Sequence, residues 1–388
     1  MAPTKYLFAT PSGVVPVPDE LWDKPLSPSQ TQKDVTLRDY FKLLDAFFQK
    51  RKDTLLRIYN KSVGKIRIRD FNRMEIVSEK LGTFYQIARC IFRSDKGHVD
   101  FCASTATRSQ ELLKRDFQNL CLLTRKLHVT FVPVPFLFGS LPSAPSAKSH
   151  LMAISVTQWL NNHWEWHLRD DIHICLWVPG KGEVELTTNQ CLALFKGIGF
   201  CLALSVDANQ LCHIWLWSNC AGDFIASPQG HGRISVKLTT VRFYGSPWVE
   251  FIPENSSNKA LAMILYHFLD TALTVRIDRK AGTGSYLFAC KALLKDAMEG
   301  YLDGLWSLEL EGRLPQGTTD TFLDLVSSLD ISDLMSIYEA IIHCHTTLGR
   351  VDASLMAKVV KKHCRELMDV VAGLEVPRHE QAYALGQA

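Results

Sequence analysis

The sequence contains one stretch in which two imidazoles and a carboxylate alternate with tryptophans, His163-Trp-Glu-Trp-His167. On a β-strand, His163, Glu165 and His167 would share a face, so their side chains could converge on a divalent metal ion. The competing interpretation is a strand edge whose tryptophans pack inward. We favour this second interpretation, because a metal site also needs supporting residues that no pattern here reveals. A metal-dependent hydrolase that uses this cluster remains an alternative.

Cysteine and histidine are neighbours at three further places, Cys212-His213, His343-Cys344-His345 and His363-Cys364. A thiolate beside an imidazole can act as a nucleophile, which makes His213 a candidate catalytic residue, although a reduced structural cysteine is the default. The other two pairs lie on predicted helices, where adjacent positions point about 100° apart. This spacing disfavours joint zinc coordination and favours helix packing.

A lone carboxylate, Asp223, follows a glycine in Ala221-Gly222-Asp223-Phe224 and lies between two apolar runs. A helix-like segment, Thr187 to Leu204, precedes it, and the basic segment Arg233 to Arg242 follows it with the pattern of a hairpin. This placement makes Asp223 the leading candidate for a catalytic residue. Arg276 and Asp278 follow a very apolar segment, and we expect them to form a buried ion pair that braces the Asp223 loop.

The composition limits the classes of function. The chain has 388 residues, 47% of them hydrophobic, which is enough for two or three domains or lobes. Its formal net charge is +3, so no global charge indicates a nucleic acid or an anionic membrane as partner. No window reaches the ~18 apolar residues of a membrane span, and prolines interrupt the N-terminal residues, unlike a secretory signal. The 11 scattered cysteines are typical of reduced thiols, so we expect a cytoplasmic protein.

The N-terminal part of the chain combines an arm, a helix and strands. Residues 1–34 contain six prolines and predict an extended arm. Thr36 and Asp39 resemble a capping box that opens a helix. Residues 74–92 favour two strands around Gly82, although one amphipathic helix would also fit. Ser109 to Leu127 has the spacing of a helix with one apolar face.

The later segments predict strands and then mainly helices. Leu141 to Lys148 is rich in small residues and predicts a linker. From residue 255 the candidate helices follow one another, with one long helix from Thr319 to Leu348 among them. The fold class that results is α+β, with strands early and helices late. We divide the chain into residues 1–62 (arm and helix), 63–160 (a strand-rich lobe), 161–305 (the core of a larger lobe) and 306–388 (a helical segment).

Over roughly residues 63–305, the order of these elements resembles the protein-kinase-like fold, which includes relatives of the aminoglycoside phosphotransferases. The hairpin at Gly82 resembles the glycine-rich hairpin, and the helix after Ser109 resembles the single helix of the small lobe. The helix before Asp223 resembles the one that precedes the catalytic loop. The resemblance implies two lobes, a small one built on a mixed sheet and a larger, mainly helical one.

The resemblance implies a nucleotide, with ATP and magnesium as possible cofactors, bound between the lobes. By position, it implies that Gly82, Glu111, Thr240 and Arg242 contact the cofactor. It also implies that Asp223 takes either the position of the catalytic Asp or that of the neighbouring metal-binding Asn, and we take it as catalytic. The chain departs from the family because the strand Val99 to Thr105 has no lysine and no Asp-Phe-Gly follows the hairpin. Phosphoryl transfer needs a lysine and metal-binding carboxylates. We therefore expect a pseudoenzyme, or an atypical phosphotransferase in which Arg242 neutralises phosphate charge directly.

A protein without catalytic activity is the second class of function. Its apolar C-terminal helices, residues 305–388, would then provide the docking surface of a scaffold. We expect neither a nucleic acid nor a membrane as partner, and no metal ligand is assigned in the leading interpretation.

Overall fold

The computed structural model shows a mixed α+β protein made of two compact units. One unit comprises residues 1–161 and 178–182, and the other comprises residues 162–177 and 183–388. The structure describes residues 4–26, 35–64, 71–82, 84–142, 151–215, 220–247, 258–282, 284–350 and 352–376. Among these residues, no helix combines the length and the apolar character that a membrane crossing requires.

The N-terminal unit is built on a seven-stranded sheet with the order β2-β1-β3-β4-β5-β7-β6. Neighbouring strands run antiparallel except β1 and β3, which run parallel. The strands are β1 (Lys5–Thr10), β2 (Gly13–Pro16), β3 (Arg73–Leu81), β4 (Gln86–Ser94), β5 (Gly97–Ala106), β6 (Pro135–Pro142) and β7 (Leu151–Gln158).

The described part of this unit also contains the α-helices α1 (Leu37–Ser62) and α2 (Gln110–Arg125). The predicted capping box is confirmed, because the Thr36 side chain accepts from the Asp39 N–H and the Asp39 carboxylate accepts from the Thr36 N–H. Helix α1 buries aromatic residues against the sheet. The ring centroid of Phe48 lies 6.1 Å from that of Phe92 and 6.2 Å from that of Phe101. The sheet is thereby fixed to α1 through an aromatic core.

The alternatives for residues 74–92 are resolved as a hairpin, because β3 and β4 pair antiparallel on either side of Gly82. The prediction for the N-terminal arm needs correction. Its residues 5–10 and 13–16 are strands, and β1 pairs with β3 from Lys5↔Glu75 to Phe8↔Ser78. Pro16 ends β2, which is an edge strand of the sheet, and proline is tolerated in edge strands. Only Leu141 and Pro142 of the predicted linker are described, and they end β6.

The C-terminal unit combines a five-stranded sheet, of order β10-β9-β8-β12-β13, with most of the helices. Its strands are β8 (Trp164–Leu168), β9 (Ile174–Val178), β10 (Gly182–Glu185), β11 (His213–Ile214), β12 (Phe224–Pro228), β13 (Ile234–Leu238), β14 (Tyr244–Gly245), β15 (Ile277–Arg279) and β16 (Tyr286–Phe288). Its helices are α3 (Thr188–Leu204), α4 (Cys220–Asp223), α5 (Lys259–Thr274), α6 (Lys291–Leu310), α7 (Thr318–Ser328), α8 (Ile331–Thr347) and α9 (Ala353–Val371).

Helices α3 and α6 approach closely enough for their backbones to touch. A Cβ added at Gly199 would lie 1.9 Å from the Ala297 carbonyl oxygen, and one at Gly300 would lie 1.9 Å from the Lys196 carbonyl oxygen. Only glycine fits such a contact, because a carbon atom needs well over 3 Å. Of the two helices, α3 ends at Leu204, before the loop that leads to β11.

The predicted helix from Thr319 to Leu348 is wrong as a single element, because α7 ends at Ser328 and α8 begins at Ile331. Asp330 has extended backbone, and its carboxylate accepts from the N–H groups of Ser332 and Asp333. A side chain that caps the following helix in this way ends the preceding one. The break lets α7 and α8 pack separately.

Candidate functional site

Asp223 lies where α4 meets β12, and only 3% of its surface is exposed. β13 returns antiparallel to β12, with Phe224 opposite Leu238, so the residues after β13 pass beside Asp223. The Asp223 carbonyl oxygen accepts from the Thr239 N–H at 2.8 Å and from the Thr239 hydroxyl at 2.9 Å. The backbone around Asp223 is therefore fixed by its own hairpin.

The Asp223 carboxylate is bound by two residues that sequence analysis assigned to a cofactor. The Thr240 hydroxyl donates to Oδ1 at 3.0 Å, and Nη1 of Arg242 donates to Oδ2 at 2.7 Å. The side chains of Arg242 and Asp223 are 13% and 4% exposed, so this is a largely desolvated ion pair. A carboxylate with both oxygens bound by residues that follow its own hairpin braces that loop.

His213 is part of the same unit, but it lies in the core. None of its surface is exposed, and its ring stacks on His267 with centroids 4.0 Å apart. Its Nδ1 donates to the Ile214 carbonyl oxygen at 3.1 Å. Burial lowers the pKa of His213 to about 4, so the ring is neutral at pH 7. A neutral and wholly enclosed imidazole does not reach a ligand in this conformation.

Gly82 and Glu111, the two remaining predicted cofactor residues, lie in the N-terminal unit. The Gly82 N–H donates to the Tyr85 carbonyl oxygen at 3.1 Å and so closes the hairpin instead of cradling a phosphate. Glu111 lies in the first turn of α2, where its negative charge interacts favourably with the helix dipole. Its side chain is 86% exposed. The buried carboxylate of α2 is Asp116, which is 4% exposed.

Ion pairs fix the side chain of His167 in β8, the strand with the alternating histidine and tryptophan residues. His167 lies between two carboxylates, with Nε2 3.3 Å from Oε1 of Glu165 and Nδ1 3.3 Å from Oδ1 of Asp278. Burial lowers the pKa of His167, but the hydrogen bonds and charges of Asp278 and Glu165 outweigh it and raise the pKa to about 9. An imidazolium has no lone pair for a metal ion. Across the described ranges, no group of three or more His, Cys, Asp or Glu side chains has the geometry of a metal site.

The expected pair of Arg276 and Asp278 is not formed. Asp278 accepts from the Leu168 N–H at 2.7 Å and from the Arg279 N–H at 2.6 Å, besides its contact with His167. Arg276 belongs to a different network around Glu366. The two residues lie close together in β15 and the turn before it, but they serve different neighbours.

The N-terminal unit contains a polar cluster that sequence analysis missed. Nε of Arg89 donates to Oδ2 of Asp100 at 3.1 Å, and the guanidinium lies 5.2 Å from the centre of the Trp159 ring. Nη2 of Arg89 also donates to Oδ1 of Asn161 at 3.5 Å. Burial raises the pKa of the neighbouring Glu79 to about 7, although the charge of Arg89 opposes the rise. An amphipathic cation, an aromatic ring and a carboxylate thus meet on one sheet face.

A local signal for this cluster existed in the sequence. Arg89 and Asp100 are on adjacent strands of one meander, and the register places Ile91 opposite Asp100 and Arg89 opposite Cys102. Arg89 and Asp100 are therefore diagonal neighbours on one face, within reach of each other. Trp159 and Asn161 just after β7 could not be placed beside them without the order of the strands.

Comparison with known proteins leaves the family open. No protein-family model matches the chain, and no curated protein matches it at a significant level.

Proposed function

We propose that this protein is a kinase-like pseudoenzyme, which binds a nucleotide or another phosphorylated ligand without transferring the phosphoryl group. The observation that carries the proposal is the state of Asp223, whose two carboxylate oxygens are held by Thr240 and Arg242 within one hairpin. Transfer needs a carboxylate that is available to a metal ion or to the acceptor hydroxyl. In this chain the ion pair with Arg242 occupies that carboxylate.

The order of elements in the N-terminal unit supports the kinase-like part of the proposal. A hairpin with a glycine turn, a third strand, one helix and two further strands follow one another as β3, β4, β5, α2, β6 and β7. This is the order on which the resemblance rests. The strand β5 has no lysine, which fits a protein that binds without transfer.

The cluster around Arg89 supports the binding part of the proposal. A guanidinium donates in several directions and pairs with phosphate, and an aromatic ring offers a stacking surface to a base. The Arg89 side chain is 28% exposed, so part of it is open to a ligand while Asp100 and Asn161 bind Nε and Nη2. We assign the recognition of the ligand to Arg89 and Trp159.

The proposal is tested by thermal unfolding with ATP, ADP, GTP and inorganic phosphate, each with and without magnesium. A ligand at 100 times its Kd stabilises the folded state by about 2.7 kcal/mol, which is a measurable rise in Tm. We expect a rise that does not need magnesium, a smaller rise in Trp159→Leu, and the full rise in Trp177→Leu, whose exposed ring lies in the other unit.

Two results would contradict the proposal. Magnesium-dependent turnover of ATP that Asp223→Asn abolishes would identify a phosphotransferase. No rise in Tm with any of these ligands would remove the binding function and leave the scaffold class.

A second candidate function, docking of a protein partner through the C-terminal helices, is favoured by one observation. Helix α9 exposes four cations at the spacing of a single helix face, Lys358, Lys361, Lys362 and Arg365. Like charges at this spacing destabilise a helix, and only Lys362 has an ion pair among the described contacts, with Glu366 at 3.6 Å. The occupant that charge complementarity favours is an acidic helical peptide.

Binding of a fluorescent Glu-rich helical peptide tests this candidate. We expect affinity that falls with salt and is lost when Lys361 and Lys362 are both changed to Glu. Lys114→Glu and Lys295→Glu are the matched control, since both lysines are exposed on other helices. Equal binding by both double variants would contradict the candidate.

A further inference from the structure

Two buried imidazoles face each other in the C-terminal unit. The rings of His213, from β11, and His267, from α5, are 4.0 Å apart and inclined by 23°, and neither has any exposed surface. Nδ1 of His267 is hydrogen-bonded to the Tyr301 hydroxyl at 2.9 Å. Nε2 of His213 lacks a hydrogen-bond partner among the described residues. Buried polar atoms of this kind are uncommon and call for an explanation.

The same turn of α5 has two further histidine contacts. Nε2 of His345, from α8, donates to Oδ1 of Asp270 at 2.6 Å. The carbonyl oxygen of Leu269 accepts from the Tyr338 hydroxyl at 2.9 Å. That hydroxyl lies 2.7 Å from Nε2 of His363, on α9. Residues 267–270 are thus the point where β11, α6, α8 and α9 meet α5.

The directions of these hydrogen bonds require a neutral His363. Nη1 of Arg276 donates to Nδ1 of His363 at 3.0 Å, so this nitrogen must carry a lone pair. Because the Tyr338 hydroxyl gives its proton to Leu269, its oxygen accepts from Nε2–H of His363. A second proton on His363 would make Nδ1 a donor that faces the Arg276 donor, so the hydrogen bond between Arg276 and His363 would be lost.

The fixed charges that act on these histidines come from Asp270 and Arg276. The charge of Asp270, on α5, opposes the fall in the pKa of His213. The Asp270 carboxylate also accepts a hydrogen bond from His345. His267 faces His213 and the Tyr301 hydroxyl from α6. His363 faces Arg276, whose charge is met by Glu366. The apolar ring of Phe322, on α7, packs against the ring of Phe268, on α5.

We propose that residues 267–270 of α5 form an acid-sensitive joint. Proton uptake by His213, His267 or His363 puts a charge beside another ring or beside Arg276, and the contacts of α5 with β11 and α9 then open. This goes beyond the proposed ligand binding and does not depend on it, because the joint lies within the C-terminal unit. The joint makes the packing of the C-terminal helices a function of pH.

The direction of the pH dependence follows from burial. It lowers the pKa of His213 to about 4 and holds those of His267 and His363 well below the ordinary value. A histidine whose pKa is lower in the folded state stabilises the fold above its unfolded pKa of about 6.5 and loses that contribution as the pH falls. We therefore expect the contacts of α5 to open as the pH falls from about 6.5 to about 4.

Hydrogen exchange tests the joint in the full chain. Protection factors, which correct for the intrinsic effect of pH, are compared at pH 7.5 and pH 5.0 for residues 259–274 and for residues 88–92 of β4. We expect the protection of α5 to fall at pH 5.0 by roughly 30-fold for each histidine that the opening exposes. The protection of β4, in the other unit, should change much less.

Variants separate the joint from general acid sensitivity. In His213→Phe/His267→Gln the acid-dependent loss of protection in α5 should shrink to the share of His363, roughly 30-fold. His343→Asn, which changes an exposed histidine of α8, should behave as the natural chain does. If the double variant does not fold, urea unfolding of the natural chain decides, with a net uptake of protons on unfolding expected at pH 5.0. Equal protection of α5 at both pH values, or no proton uptake on unfolding, would overturn the proposal.

Discussion

His167 and Asp278 are 111 residues apart in the chain, and a contact of 3.3 Å between Nδ1 and Oδ1 joins them. Asp278 also accepts from the Leu168 N–H, so one carboxylate connects the strand β8 to the hairpin of β15 and β16. Gly282 follows this hairpin strand with a φ of +76°, and a Cβ there would lie 2.9 Å from Nε2 of His167. The imidazolium is therefore enclosed by two carboxylates and a glycine.

Removal of the His167 charge should destabilise the C-terminal unit at neutral pH and change its response to alkali. The pKa of His167 is raised to about 9, so its contribution is complete below the unfolded value of about 6.5 and is lost as the pH rises through 9. His167→Gln leaves two carboxylates without their cation and should cost about 2–4 kcal/mol at pH 7. Urea unfolding at pH 6, 7.5 and 9 measures both effects.

His173→Gln is the matched control, because His173 also pairs with a carboxylate, Asp170, but both side chains are about half exposed. We expect little change in stability for this variant. A loss of stability in His167→Gln that is the same at pH 6 and at pH 9 would contradict the ion-pair interpretation.

The pair of Asp223 and Arg242 should show strong energetic coupling. Each group is largely buried, so Asp223→Ala or Arg242→Met alone leaves an uncompensated partner. The double variant removes both charges, and its loss of stability should be smaller than the sum of the two single losses by about 1–3 kcal/mol. The free energies of unfolding of the four proteins measure the coupling. Additive losses would show that the pair does not brace the loop.

The contact between α3 and α6 should not tolerate a methyl group. Gly300→Ala would place Cβ 1.9 Å from the Lys196 carbonyl oxygen, so the helices must separate. We expect a loss of about 3 kcal/mol or more in the free energy of unfolding. Gly230→Ala is the control, because nothing lies within 4 Å of a Cβ added there. Similar stabilities of the two variants would mean that α3 and α6 do not pack so closely.

Local patterns predicted most of the elements of this fold. The capping box at Thr36, the hairpin at Gly82 and the helix that begins near Thr187 each depend on residues within one or two turns of chain. Strand pairing of residues 5–10 was not predictable in this way, because their partner β3 lies about seventy residues later. The break between α7 and α8 was missed although Asp330 supplies an N-cap signal, since the apolar spacing continues across it.

Candidate sites were harder to predict, because each depends on long-range pairing. Asp223, Thr240 and Arg242 come together because β12 and β13 pair as a hairpin. The sequence had placed this hairpin within residues 233–242, which contain only its second strand. His167 was assigned to a strand face, but Asp278 approaches it from 111 residues away, and this carboxylate turns a possible metal ligand into an imidazolium. Sequence spacing identifies which side chains share a face, and tertiary packing decides their charge and their partners.

Arg276 should not be replaceable by lysine. Its guanidinium has no exposed surface, lies 3.9 Å from the centre of the Phe288 ring, and donates through Nε and Nη2 to the Ala289 carbonyl oxygen. Another donor bond leads from Nη2 to Glu366 at 2.6 Å. Lysine keeps the charge but cannot stack or donate in these fixed directions, so Arg276→Lys should cost about 2–4 kcal/mol in the free energy of unfolding.

Glu366→Gln provides the comparison for this last variant. The Glu366 side chain is 21% exposed and water can replace part of its bond, so we expect a smaller loss than for Arg276→Lys. The loss in Arg276→Lys should be accompanied by faster hydrogen exchange in α9, because the chain from Arg276 through His363 to Tyr338 is broken at its first bond. Normal stability with unchanged exchange in α9 would show that the charge of Arg276, and not the geometry of its donors, holds these helices together.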